Sequence, residues 1–228
     1  MGWLNPLSSG GKEKSRPRLG MEPQARHNAV VEVLRAEARG GVVPFVRLVE
    51  VALYHPVLGY YQLDKARVGK SRGTDFTTAT ALGPMFGDLF AAAAETLVGD
   101  IKNFDLVEVG AEPGQAHFAT VRTKFKGLKT FRLGAEPKFE GPTVLFANEL
   151  LDAQPFHRFI FEAGSWRELG VRVDGVELAV ESLKGFSSVA AEEFIKSLPL
   201  SEEGWILDVS LAGRRWWRNY SNLNGMER

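Results

Sequence analysis

The sequence predicts an α/β fold organised around an open sheet, and two segments carry that expectation. Asp105-Leu-Val-Glu-Val-Gly-Ala-Glu-Pro-Gly114 reads as a buried strand ending in a glutamate and a glycine loop. Phe146-Ala-Asn-Glu-Leu-Leu-Asp-Ala153 reads as a second apolar strand that stops at a cluster of amide and carboxylate side chains. In an open α/β sheet small ligands bind beyond the carboxyl ends of the strands, where such loops meet. The pair therefore points to a nucleotide-like cofactor beside a polar substrate pocket.

The elements follow in chain order. Residues 1–24 are rich in Gly, Ser, Pro, Lys and Arg and read as a disordered tail without the apolar core of a secretory signal. Ala29, Val30, Val33 and Leu34 repeat at helical spacing until Gly40-Gly41 stops them. Pro44 suits a first helical turn, with Phe45, Leu48, Val49, Ala52 and Leu53 as an apolar stripe. His55-Pro56 ends that helix, because a residue before proline is pushed out of the helical region, and Leu58-Gly-Tyr-Tyr61 follows as a turn. The strongest helix places Leu82, Met85, Phe86, Leu89, Phe90, Ala93 and Leu97 on one face, with Thr80 as N-cap. Beyond Gly99 the pattern becomes strand, loop and helix: strand Leu106–Val109, a helix over 116–125, a strand at Phe131–Gly134 and a doubly buried strand at Thr143–Ala147. Segments 157–162, 166–173 and 176–180 alternate around two turns and predict an antiparallel β-ribbon insertion. A short helix over 190–198 and an apolar segment at Trp205–Val209 complete the pattern. The implied organisation is a tail (1–24), an N-terminal helical lobe with a lid loop (25–98), an α/β domain (99–212) and a second tail (213–228).

Composition excludes several classes of function. Lys+Arg and Asp+Glu both total 28, so the net charge is zero, which argues against nucleic acid as the main partner. The absence of cysteine removes disulfides, thiolate catalysis and cysteine-based zinc sites. His27, His55, His117 and His157 show no ligand spacing, so no metal is expected. No apolar run approaches the roughly 18 residues that span a bilayer, so no membrane role is expected.

Each candidate site has two readings. Gly110 and Gly114 suit a loop that needs positive φ or close ligand approach, with Glu108 on the strand before it; an ordinary βα turn explains them equally well. Asn148, Glu149 and Asp152 either cap a following helix or line a pocket in which two carboxylates hold and orient a guanidinium. Gly69-Lys-Ser-Arg-Gly-Thr-Asp75-Phe76 is a solvated loop or a lid through which Asp75 reaches a ligand. Arg214-Arg-Trp-Trp-Arg218 is a frayed end or a contact surface for RNA or membrane.

Taken together, the residues resemble the MidA-type methyltransferase family. The resemblance rests on Gly41-Val-Val-Pro-Phe through His55-Pro-Val-Leu-Gly-Tyr-Tyr61, on Gly73-Thr-Asp-Phe76 leading into Gly83-Pro-Met-Phe-Gly87, and on Asn148-Glu-x-x-Asp-Ala153, across about residues 29–170. It implies a class I methyltransferase-like (Rossmann-like) sheet, incomplete at the C-terminus, and S-adenosylmethionine as cofactor. It also implies transfer to a protein arginine side chain, in the cytoplasm or, in a eukaryote, the mitochondrion; the oligomeric state stays open. On this reading Glu108, Gly110, Gly114, Asp75 and Asn148 bind cofactor, while Glu149 and Asp152 are the catalytic carboxylates that orient the acceptor.

Three departures support an alternative, a degenerate and non-catalytic interaction or assembly protein. Ala111-Glu112 replaces the usual glycine-containing middle of the loop, and a glutamate there crowds the cofactor carboxylate. Only about thirty residues separate Gly114 from the strand at 143, leaving the ribose-binding strand missing or reduced to 130–134, with Glu136 as its acid. No resemblance is evident after Val209. A nicotinamide dehydrogenase fits less well, because the loop lacks G-x-G-x-x-G.

Overall fold

A computed structural model of the chain describes residues 21–38, 41–63, 79–111, 117–132 and 137–221. The described residues form two compact units, one within 79–150 and the other from 21–63 together with 151–221. This division cuts differently from the sequence boundaries. The long helix before residue 99 belongs with the strands that follow it, and the N-terminal helices belong with the C-terminal third of the chain.

The first unit is a parallel sheet covered by a helix. Helix α1 (Pro23–Ala38), strand β1 (Val42–Pro44) and helix α2 (Phe45–Tyr54) precede it in the chain, and it begins with helix α3 (Pro84–Val98). Strands β2 (Asp105–Val109), β3 (Gly127–Phe131) and β4 (Thr143–Ala147) form a three-stranded parallel sheet with β2 in the middle. Register is complete along β2, from Asp105 opposite Gly127 and Thr143 to Val109 opposite Phe131 and Ala147. The strand expected at 131–134 is thus a full five-residue strand that starts earlier. Its sequence hides it because Lys129, whose ammonium lies near the Asp105 and Glu140 carboxylates, and Thr130 interrupt the apolar pattern. The helix expected at 116–125 is a 3-10 turn over Ala119–Lys124.

Helix α3 corrects two further expectations. Thr80 does not cap it; Thr80 lies in a 3-10 turn (Ala79–Leu82) and its carbonyl accepts from Gly83 N–H. The N-cap is Gly83, followed by Pro84 in the first helical turn. The buried positions are Gly87, Ala91 and Ala94, with Phe86 and Phe90 packed on the same core, whereas Met85, Leu89 and Leu97 are exposed. The aromatics decide this orientation: Phe90 lies 4.9 Å from Phe118 and 5.1 Å from Phe146, and Phe118 lies 4.9 Å from Phe146. Small residues let the helix approach the sheet closely enough for those rings to interlock.

The second unit is antiparallel. Strands β5 (His157–Glu162), β6 (Ser165–Asp174) and β7 (Glu177–Ser182) are the expected ribbon, but they are joined by β1 and by β8 (Ile206–Val209) into one five-stranded sheet. Strand β1 pairs Val42–Pro44 with Arg172–Gly170, and β8 pairs with His157–Ile160 of β5. One core brings Leu34 of α1 and Val51 of α2 onto Val43 and Val171. A second packs Ala191 and Ile195 of helix α4 (Val189–Lys196) on Phe159. Glu168 is completely buried, and its carboxylate accepts from His157 Nδ1 at 2.8 Å, Ser187 Oγ at 2.6 Å and Ser187 N–H at 2.7 Å. The expected tail from 213 is ordered through helix α5 (Leu211–Ser221). Ser210 starts it by accepting from Gly213 N–H, and the Arg214 guanidinium sits 4.7 Å over the Phe194 ring. No helix among the described residues is long and apolar enough to cross a membrane.

Candidate active site

The parallel sheet creates the site through its strand order. From β2 the chain goes to β3 on one side and then to β4 on the other, so the order reverses at β2. Such a switch point opens a crevice beyond the carboxyl ends of the two strands that diverge, here β2 and β4. Val109 and Ala147 end these strands in register, so Gly110 and the pair Asn148-Glu149 leave the sheet side by side.

Gly110 is required there on two counts. Its φ is +81°, and a Cβ at this position would lie 3.0 Å from Leu150 Cδ1. The N–H groups of Gly110 and Ala111 both donate to the Phe131 carbonyl, at 2.9 and 3.2 Å, which fixes the start of the loop to the end of β3. Glu108, one turn of the pleat earlier, is almost fully buried. Its Oε1 accepts from His117 Nδ1 at 2.8 Å, a partner the sequence reading did not assign to it. His117 lies beyond the loop in the chain, so this hydrogen bond links it back to the strand that precedes the loop.

Beyond β4, Glu149 adopts a φ of +48°, one of two non-glycine residues with positive φ among the described residues. The other, Ala163, sits in the tight turn between β5 and β6, where that conformation is ordinary. Glu149 has no such excuse, and its carboxylate is exposed while Asn148 beside it is half-buried. The helix-capping explanation of this motif is overturned, because no helix follows: residues 151–154 form a turn that runs into β5.

The boundary between the two units falls between Leu150 and Leu151, so Asp152 belongs to the second unit. Asp152 is exposed, and its Oδ1 accepts from the N–H of Ala153 at 3.1 Å. Within the same unit Tyr54 Oη donates to the Ala153 carbonyl at 2.6 Å, a second partner that sequence spacing did not suggest. Asp75, Gly114, Glu112, Glu136 and the whole Gly69–Phe76 lid segment lie outside the described residues. Among the described residues there is no group of three or more His, Asp or Glu side chains placed to hold a metal ion.

Comparison with known proteins agrees with this architecture. Residues 85–224 match the family model described as "Putative S-adenosyl-L-methionine-dependent methyltransferase". The match runs through α5, so the sequence reading that found no resemblance after Val209 is corrected. The chain is 26% identical over 210 residues to the protein arginine methyltransferase NDUFAF7 homolog, mitochondrial, of Drosophila melanogaster, covering 82% of this chain and 44% of that protein. It thus spans less than half the length of this curated relative. Among solved structures, a superfamily member from Burkholderia thailandensis bound to S-adenosyl-homocysteine superposes with a TM-score of 0.66 at 24% identity, covering 90% of this chain and 62% of that one. A native crystal structure from the same organism gives 0.65 at 24% identity, covering 90% and 61%. These structures establish the fold as that of a class I methyltransferase-like sheet. With a family match across well over half of its length, the chain belongs to this family of S-adenosyl-L-methionine-dependent methyltransferases.

Proposed function

We propose that the chain binds S-adenosylmethionine beyond β2 and β4 and transfers its methyl group to an arginine side chain of a protein. One observation carries the reading: Gly110 at φ +81° and Glu149 at φ +48° emerge together at the switch point of the parallel sheet. Positive φ at a glutamate costs about 1–2 kcal/mol, and such strain concentrates where a side chain must be aimed. The polar groups suit a ligand with hydroxyl, amine and carboxylate functions. Gly110 exposes main chain without a side chain, Asn148 offers an amide and Glu108 anchors the strand through His117. Gly114 and Asp75 are assigned to the same ligand from the sequence alone.

S-adenosylmethionine supplies an electrophilic methyl group on a sulfonium sulfur. The protein's share is to position the acceptor. The Asn148–Ala153 motif assigns this role, from sequence, to Glu149 and Asp152: a carboxylate that accepts charge-assisted hydrogen bonds from a guanidinium would also take the proton the attacking nitrogen loses as its bond to the methyl carbon forms and the methyl–sulfur bond breaks, the electron pair going to sulfur. The fly relative's name supports arginine as acceptor, and its mitochondrial designation supports that compartment for a eukaryotic chain, the cytoplasm being the bacterial counterpart.

Isothermal titration of the whole chain with S-adenosylmethionine, then with S-adenosylhomocysteine, tests the cofactor site. Micromolar binding that is lost in Gly110→Arg, with the circular dichroism unchanged, is the expected result. A folded sample that gives no heat with either ligand would favour the non-catalytic assembly reading, for which the Glu112 side chain in the loop is the specific argument.

A further inference from the structure

Two segments that look unrelated in sequence, the end of helix α2 and the turn at 151–154, meet through one hydrogen bond. Tyr54, the last residue of α2, donates from Oη to the Ala153 carbonyl at 2.6 Å across 99 positions of chain. A tightly closed corner sets the direction of that hydroxyl. After Tyr54 the chain leaves the helix at His55, whose Nδ1 accepts from the N–H groups of Val57 and Leu58 at 3.3 and 3.2 Å. Gly59 then folds back so closely that a Cβ would lie 2.6 Å from His55 N and 2.7 Å from His55 O. The return brings the Tyr61 ring onto Tyr54, stacked at 5.2 Å with 19° between planes, and Tyr60 meets Tyr61 edge-on at 5.2 Å. A ring stacked on one side and 9% exposed overall has little freedom to swing.

The receiving turn is held from both sides. Ala153 N–H donates to Asp152 Oδ1, and the Ala153 carbonyl accepts from Tyr54. Burial first, then Tyr61 and the Asp152 carboxylate, push the Tyr54 phenol well above its ordinary range, so it stays a neutral donor at any physiological pH. We propose that Tyr54 is a positioning residue for Asp152, its hydroxyl clamping the Ala153 carbonyl so that the carboxylate one residue earlier keeps a single orientation toward the acceptor. This rests on the acceptor role of Asp152 proposed above. The corner His55–Tyr61 is the device that aims the clamp.

The test is a double-mutant cycle on the whole chain with S-adenosylhomocysteine present and N-acetyl-L-arginine amide as probe, followed by NMR titration well below each variant's melting temperature. Tyr54→Phe removes only the hydroxyl. It is expected to weaken probe binding by about three- to tenfold, the worth of one hydrogen bond, without changing S-adenosylhomocysteine affinity. In an Asp152→Asn background the same change is expected to have no further effect. A loss of equal size in both backgrounds, or none in either, overturns the clamp while leaving the acceptor site intact if Asp152→Asn alone weakens the probe. A probe that fails to bind, or that is indifferent to Asp152→Asn, removes the acceptor reading itself and the clamp with it. Should Tyr54→Phe fail to fold, Tyr61→Leu loosens the ring while keeping the hydroxyl, and it enters the same cycle with the same expected pattern.

Discussion

Glu149 and Gly110 sit at the ends of neighbouring strands with backbones that L side chains rarely adopt. They pull in opposite directions. At Gly110 glycine relieves the conformation, so Gly110→Ala is expected to destabilise the protein by about 1–3 kcal/mol in a urea titration, through positive φ and contact with Leu150. At Glu149 the side chain imposes the strain, so Glu149→Gly is expected to gain about 1 kcal/mol and to raise the melting temperature by roughly 2–4 °C. The same change should abolish methyl transfer if the carboxylate orients the acceptor; activity retained would remove Glu149 from the site. Glu112→Gly is expected to tighten S-adenosylmethionine binding, and an unchanged titration would count against a functional loop. Gly110 was legible in sequence as a residue needing positive φ and Glu149 as a carboxylate beyond an apolar run, but the backbone strain at Glu149 was not. His117 and Tyr54 were not, since their partners lie nine and 99 positions away and no periodicity connects them.

Helix α3 shows how an element can be found correctly with only half of its expected apolar face buried: Phe86 and Phe90 reach the core, while Met85, Leu89 and Leu97 do not. Two apolar stripes run along it, one through Met85, Leu89 and Leu97 and one through Phe86, Phe90, Ala91 and Ala94. Hydrophobicity does not separate the two; packing selects the second, because small residues beside the two phenylalanines admit Phe118 and Phe146. The antiparallel sheet holds a different device, the buried Glu168 carboxylate. Burial alone would raise its pKa, but hydrogen bonds from His157 and Ser187 outweigh that and hold it below the ordinary value. A lowered carboxylate pKa contributes stability above the unfolded value of about 4.3, and the contribution is lost as pH falls through the folded value. Thermal melts from neutral pH down to pH 3 are therefore expected to show an acid loss that Glu168→Gln shrinks. Glu168→Ala should cost about 3 kcal/mol at neutral pH, since it strands the groups that bind the carboxylate. A flat acid limb in the unmodified protein would sink this account.

For the molecule as a whole, ligand linkage gives the most direct check. If S-adenosylmethionine binds the folded chain alone, a concentration one hundred times the dissociation constant stabilises it by about 2.7 kcal/mol. For a chain of this size that is an upward shift of roughly 5–10 °C in a thermal scan, and Gly110→Arg should show none. The two compact units do not follow the chain in simple succession, because the described residues within 21–63 and 151–221 contribute to one of them. Sequence order suggested a helical lobe followed by a sheet domain. Pairing of β1 with β6 across well over a hundred residues instead recruits the N-terminal helices into the antiparallel unit.

The sequence by itself determined the class of fold, the strands β2 and β4, the glycine at 110 and the carboxylate motif at 148–153, though β4, expected to be buried on both faces, is a half-buried edge strand. All of these are local patterns: apolar runs, turn chemistry and the side chains at their ends. Tertiary structure alone decided that β3 and β4 flank β2, which face of α3 is buried, that β1 and β8 complete a sheet, and that Tyr54 reaches Ala153. A three-residue strand or a single hydroxyl has almost no conformational preference of its own. Its place is fixed by partners distant in the chain, whose contribution exists only once the fold brings them together.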